Sequence, residues 1–214
     1  MSKCILLLLI ACLSLSTNAQ FSDDHHYRPK SLNQVQNQDP SLNDYDVKFY
    51  KLDLNMSHES VYIQGNVKAI VETRIDGFQE YVAQLDNDYS VDSVKYENTN
   101  IAFTHEEDLV VATLGESVSI NELIEITIWY HGSLINVEPG FRGIWNQTTN
   151  GGITHTSSES FHAKEWWPCK EFLSDKADSL WVFVTVPEGI KVGSNGLLTN
   201  VEHLGDVDRY EWKH

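Results

Sequence analysis

Cysteine is scarce in this chain: three in 214 residues, at Cys4, Cys12 and Cys169. Two of the three fall in an apolar leader, so no disulfide framework is available to the rest. Stability must come from a buried core, which a chain of this length can build. Cationic residues are also in short supply, with 15 Lys and Arg against 31 Asp and Glu and a formal charge of -16. Such a balance repels a phosphate backbone and excludes nucleic acid as a partner. No apolar run approaches the ~20 residues of a transmembrane helix, so no transmembrane segment is expected.

The apolar leader reads as an address. Lys3 supplies a positive n-region, Cys4 to Leu15 an apolar h-region, and Ser16-Thr17-Asn18-Ala19 the small residues of a cleavage site. Residues 1–19 are therefore expected to be a signal peptide, with the protein secreted or periplasmic. A second reading stands beside it: Leu9-Ile10-Ala11-Cys12 resembles a lipobox, which would make Cys12 a lipoprotein anchor. Residues 20–43, rich in Asn, Gln, Asp and Ser with two prolines and no apolar periodicity, have the composition of a disordered linker.

From residue 44 the character changes. Tyr50, Leu52, Leu54 and Met56 alternate with polar residues, as do Val67, Ala69, Val71 and Thr73, and a period of two marks half-buried strands. Further strands are expected over 81–85, 93–96, 101–104, 109–113, 124–131, 180–186 and 210–212. Turn residues such as Asp76-Gly77, Glu97-Asn98 and Asn195-Gly196 separate them. The pattern predicts an antiparallel all-β domain over 44–214, with one helical turn over 116–122 and an irregular stretch over 132–176. Long irregular segments in β domains usually carry function.

Standard catalytic motifs are missing. His58-Glu59 and His105-Glu106 each lack the second histidine four positions on that a zinc peptidase helix needs, and no P-loop, G-x-S-x-G or G-x-G-x-x-G occurs. Cys169, beside Trp166-Trp167-Pro168, is expected to be buried and unreactive rather than nucleophilic. His155, Glu159 and His162 would form a two-histidine, one-carboxylate metal set on a helix. On a strand His155 and Glu159 share a face while His162 points away, and the Gly-Gly start and Thr/Ser content favour the strand.

Glu159 to Lys176, ESFHAKEWWPCKEFLSDK, resembles the signature near the end of the N-terminal domain of peptidase family M1, the zinc aminopeptidases related to aminopeptidase N. That pattern runs from a Gln or Glu through about nine residues to Pro-Cys-x-Asp-x-Pro and a Lys. Tyr45-Asp46-Val47 with Tyr50-Lys51-Leu52-Asp53-Leu54, Gly65-Asn66-Val67, Leu85-Asp86, Val186-Pro187-Glu188-Gly189 and Ser194-Asn195-Gly196 follow in the family's order. Three positions depart from it: Glu171 for the Asp, Leu173 for the second Pro, and Lys164 where many members have Arg.

The resemblance implies a saddle-shaped antiparallel β-sheet or sandwich domain that packs on a separate catalytic domain. It also implies that Glu159 holds the α-amine at the substrate peptide's N-terminus. Zinc would belong to the parent enzyme, since neither the His-Glu-x-x-His helix nor the Gly-x-Met-Glu-Asn motif occurs here. On this reading the chain is a metallopeptidase domain, incomplete at its C-terminus, with no zinc site and no hydrolase activity of its own. The competing reading is a secreted β-sandwich binding module, whose Trp145, Trp166 and Trp167 stack on a carbohydrate or protein partner.

Overall fold

The computed structural model describes residues 38–135, 143–148 and 151–214. Twelve strands follow in order: β1 (Tyr45–Asn55), β2 (Ile63–Thr73), β3 (Phe78–Gln84), β4 (Tyr89–Tyr96), β5 (Thr99–Glu106) and β6 (Leu109–Val118). After these come β7 (Leu123–Gly132), β8 (Gly143–Gln147), β9 (Ile153–Ser157), β10 (Ser179–Pro187), β11 (Leu197–His203) and β12 (Val207–Lys213). Ten of them make one sheet in the order β11-β12-β10-β1-β2-β7-β4-β5-β6-β3, and β8 with β9 forms a separate hairpin. The all-β expectation is met.

Antiparallel pairing is not universal. β1 and β10 run parallel, with Leu52 opposite Val182. Parallel neighbours need a long crossover in place of a hairpin, and the stretch that sequence alone marks as irregular, 132–176, is part of that crossover. It is not wholly irregular, since it contains β8, β9 and a 3-10 turn at Ala163–Glu165.

The period of two builds the core, and one bulge sets its phase. On β1 the buried residues are Tyr45 and Val47, then Tyr50, Leu52 and Leu54. The register shift between Val47 and Phe49 inserts the extra residue that moves the inward phase by one. Phe49, Lys51 and Asp53 therefore face outward, where Phe49 meets Trp181 edge-on, the Lys51 ammonium lies over the Phe183 ring, and Asp53 takes a two-pronged bond from Arg209 at 2.8 Å each.

The sheet folds over on itself. Tyr45 of β1 donates its hydroxyl to the Val82 carbonyl at 2.6 Å and packs its ring on Tyr81 and Phe78, all on the far edge strand β3. The space between holds Ile126, Ile128 and Tyr130 of β7 and Val110 and Ala112 of β6, all buried.

Three sequence expectations shift. The linker does not extend through residue 43: Pro40–Asn43 is a 3-10 turn capped by the Asp39 carboxylate on Ser41 N–H, and Leu42 is completely buried. A single apolar residue has no period, which is why composition alone assigns it to the linker. Glu116 lies inside β6, so the turn expected over 116–122 begins only after that strand. β11 has no alternation to read, because every one of its residues is exposed. The leader and most of the linker lie outside the described residues.

Cys169 sits where its aromatic neighbours suggest, 2% exposed, with its backbone paired in both directions to Gln84 at 2.7 and 3.0 Å. Burial pushes its thiol well above the ordinary range. Alkylation of the native protein, followed by mass spectrometry on the peptide carrying Cys169, should run orders of magnitude slower than in denaturant, since it requires opening of the core. Equal rates would place the thiol at the surface.

Candidate functional site

The segment from Ser158 to Asp175 is fixed to the sheet at many points. Tyr89 and Tyr130 donate their hydroxyls to the carbonyls of Glu165 and Trp166, at 3.0 and 2.8 Å. The Tyr50 hydroxyl accepts Lys170 N–H at 3.1 Å, and the Tyr50 ring stands edge-on to Trp167 at 4.9 Å. Lys164 bonds Asp108 at 2.7 Å, and its carbonyl takes Asp86 N–H at 3.0 Å. Gly143 of β8 packs so closely on Glu165 that a Cβ there would fall 2.3 Å from a carboxylate oxygen, with φ at +63° besides.

Glu171, the position that departs from the family's Asp, is 8% exposed. Its carboxylate accepts Lys164 N–H at 3.0 Å, and its own N–H bonds the Gln84 side chain at 2.8 Å. Burial raises its carboxyl above the usual range, against the lowering pull of the Lys164 N–H and ammonium. It ties the segment back on itself, and the longer side chain fills that role. Leu173, in place of the family's second Pro, is 53% exposed and carries no such duty.

Glu159 stands apart from this network. It lies two residues past the end of β9, exposed, and carries no hydrogen bond or ion pair among the described residues. Its neighbours on both sides are held: Ser158 Oγ accepts the Trp166 indole N–H at 3.0 Å, Phe161 is 4% exposed, and His162, at φ +83°, bonds Glu165 through Nδ1 at 2.6 Å. A free carboxylate is thus presented on a short arch between two pins.

The histidines are engaged elsewhere. His155 lies on β9 and stacks on Trp145 at 4.3 Å and 17°, and His162 is committed to Glu165. No group of three His, Cys, Asp or Glu among the described residues is placed to hold a metal ion. The described residues do not fit a zinc centre. The tryptophans do not form an exposed platform either: Trp167 is buried, Trp166 is half-buried with its N–H spent on Ser158, and Trp145 is half-buried under its histidine.

Sequence reasoning missed the buried pair at the end of the segment. Lys170 reaches the Tyr45 carbonyl at 2.7 Å and pairs with Asp175, with side chains only 1% and 3% exposed. The only signal was a Lys and an Asp five apart, flanking Phe172 and Leu173.

No family model and no curated protein matches this chain in sequence. Solved structures do match in shape. The M1 zinc metallopeptidase of Deinococcus radiodurans superposes with a TM-score of 0.71 at 21% identity, covering 79% of this chain and 39% of that one. A mutant of it bound to a Tyr-Ser-Ala substrate gives 0.71 at 22%, with the same coverage. A two-domain M1 zinc metallopeptidase mutant bound to L-arginine gives 0.71 at 21%. The fold is that of the N-terminal β domain of M1 zinc metallopeptidases. The chain spans about two fifths of the length of the structures it matches. No helix among the described residues is long and apolar enough to cross a membrane.

Proposed function

We propose that this chain is the substrate-edge domain of a secreted zinc metallo-aminopeptidase, and that Glu159 captures the free α-ammonium of the peptide to be shortened. One observation carries the reading: in a fold shared with M1 metallopeptidases, the carboxylate at the signature position is exposed and unpaired, while the backbone on either side of it is fixed. An ammonium seeks an acceptor that need not first be freed from another partner, and charge-assisted bonds of this kind are about twice as strong as neutral ones. The pinned arch lowers the ordering cost of that contact.

Hydrolysis belongs to a catalytic domain joined to this one, which supplies the zinc. The contribution of this chain is orientation, since holding the amine fixes which peptide bond is presented. The apolar leader read in the sequence at residues 1–19 supports an exported protein, secreted or periplasmic.

In the enzyme with its catalytic domain, Glu159→Ala should weaken binding of peptides with a free N-terminus by about 1.5–3 kcal/mol, the range for hydrogen bonds to charged groups. Binding of the same peptides N-acetylated should change little. Competition assays with matched free and acetylated peptides read the difference, and equal losses on both would remove Glu159 from the amine site.

A further inference from the structure

The outer face of the sheet carries a charge pattern that the amine site does not use. Tyr50 and Tyr130, inward residues of β1 and β7, hold the signature segment, so that segment lies on the inner side of the sheet. Residues that alternate with them point to the outer side. There the strand registers align six residues in one row: Lys213 of β12 opposite Trp181 of β10, then Lys51 of β1, Lys68 of β2, Thr127 of β7 and Lys95 of β4. Five strand spacings of ~4.8 Å make the row about 24 Å long.

Four of the six are lysines, in a chain with 15 Lys and Arg against 31 Asp and Glu. Lys51 and Lys68 are direct cross-strand neighbours, a like-charge pairing that costs stability. Each is offset by a carboxylate from a neighbouring row, Asp53 at 3.2 Å and Glu125 at 2.7 Å. Lys213 and Lys95, at the two ends, form no ion pair among the described residues. Their ammonium groups lie over the rings of Trp181 and Trp129, at 4.2 and 4.6 Å.

We propose that this row binds a single strand of an acidic polysaccharide, a linear glycan of uronic acids, and holds the protein on it while the amine site on the opposite side stays open. A narrow polyanion fits because the positive row is one residue wide. Asp53 and Glu211 border it on one side and Glu125 on the other, so a planar anionic surface or a duplex would meet carboxylates together with the lysines. Uronic acids carry one carboxylate per ring, at a spacing near that of the strands. Their rings also offer C–H faces to Trp181 and Trp129, both half-exposed, and keep their hydroxyls for water at the rim. An extended acidic peptide has the charge without the fit, since across a sheet face its backbone N–H and C=O groups find no ladder to join. The chain's remaining negative charge acts weakly here, because at physiological salt exposed charges more than ~8 Å apart are largely screened.

The probe is a galacturonate hexasaccharide, titrated into this chain by calorimetry, with amide NMR to locate the contact. Saturable binding with shifts on β1, β2, β4 and β10 is expected. Affinity should fall about tenfold or more between roughly 50 and 200 mM salt, as the charge contacts release counterions. Lys68→Gln combined with Lys95→Gln should weaken binding by a similar factor. Lys191→Gln, which removes an exposed cation from a loop outside the row, should leave it unchanged.

Absence of saturation, or equal binding of the neutral galactose hexasaccharide, overturns the site. So does an equal loss in the Lys191 variant, which would reduce the effect to net charge. Equal or tighter binding of hexaglutamate, oligothymidylate or phosphatidylglycerol vesicles overturns it too, since each would give the row to another anion. These probes need no variant, so the outcome does not hinge on whether the lysine variants fold. Glu159→Ala should leave probe binding unchanged, so the amine site and the glycan row stand or fall separately.

Discussion

Replacing Lys170 with alanine should destabilise the domain by about 3–5 kcal/mol, the range for breaking a buried ion pair from one side. Its side chain and that of Asp175 are almost completely enclosed. Removing the cation leaves a carboxylate whose remaining partner is the Val47 N–H at 3.3 Å, and it also strips the Tyr45 carbonyl and ring of the ammonium. Burial pulls the Lys170 ammonium below its usual range and Asp175 opposes that pull, so the pair is held charged at a cost. The double variant Lys170→Met with Asp175→Leu should therefore recover most of the loss, as apolar replacements of buried pairs often do. Urea unfolding followed by tryptophan fluorescence measures both. A single-variant loss under about 1 kcal/mol would show that the pair is solvated, as exposed pairs are.

The domain should also fail abruptly in alkali. Burial raises the hydroxyls of Tyr45, Tyr50, Tyr81, Tyr89 and Tyr130 above their ordinary value of 10.0, and the Cys169 thiol above 9.0. Between the unfolded and folded values of each group, the folded state holds a proton that the unfolded state has lost. Stability from these groups is therefore complete below pH 9 and declines as pH rises through that window. Each contributes a slope of up to about 1.4 kcal/mol per pH unit. Lys170 runs the other way, because its lowered value makes the folded state shed its proton first, so it recovers stability as pH approaches 10.5. Five tyrosines outweigh one lysine. With total stability on the order of 5–15 kcal/mol, unfolding should come within about two units above pH 10. The five buried tyrosines should titrate with the transition and not before it. Circular dichroism and tyrosinate absorbance, recorded together, decide the matter; a full tyrosine titration with the sheet intact would contradict it.

Strands were legible where one face is buried and the other wet. β1, β2 and β7 carry that alternation, and the core they build follows it apart from the bulge at Val47. β11 was invisible because both of its faces are exposed, and β8 because five residues are too few for a period to register, whereas β9 was legible only through its Gly-Gly start and Thr/Ser content. Leu42 was lost to composition, being one apolar residue among polar ones. The site was legible only through resemblance. Nothing in the spacing of Glu159 distinguishes it from any other surface acid, whereas the pins that present it, Trp166 on Ser158 and His162 on Glu165, depend on a local backbone path that periodicity does not encode. Lys170 was unreadable for a related reason: a buried charge betrays itself by its partner, and Tyr45 is 125 residues away.

The parallel pairing of β1 with β10 bears on how the chain assembles. Leu52 cannot meet Val182 until almost the whole domain has left the ribosome, whereas β2, β4 and β7 can pair earlier. Closure entropy for so long a loop must be met before the contact returns anything, which belongs to slow, high-contact-order folding. β12 and β11 hang in turn from β10. The last three strands thus form one late unit joined to the rest at a single seam, and a nascent chain held short of Val182 would expose the β1 edge along its full length.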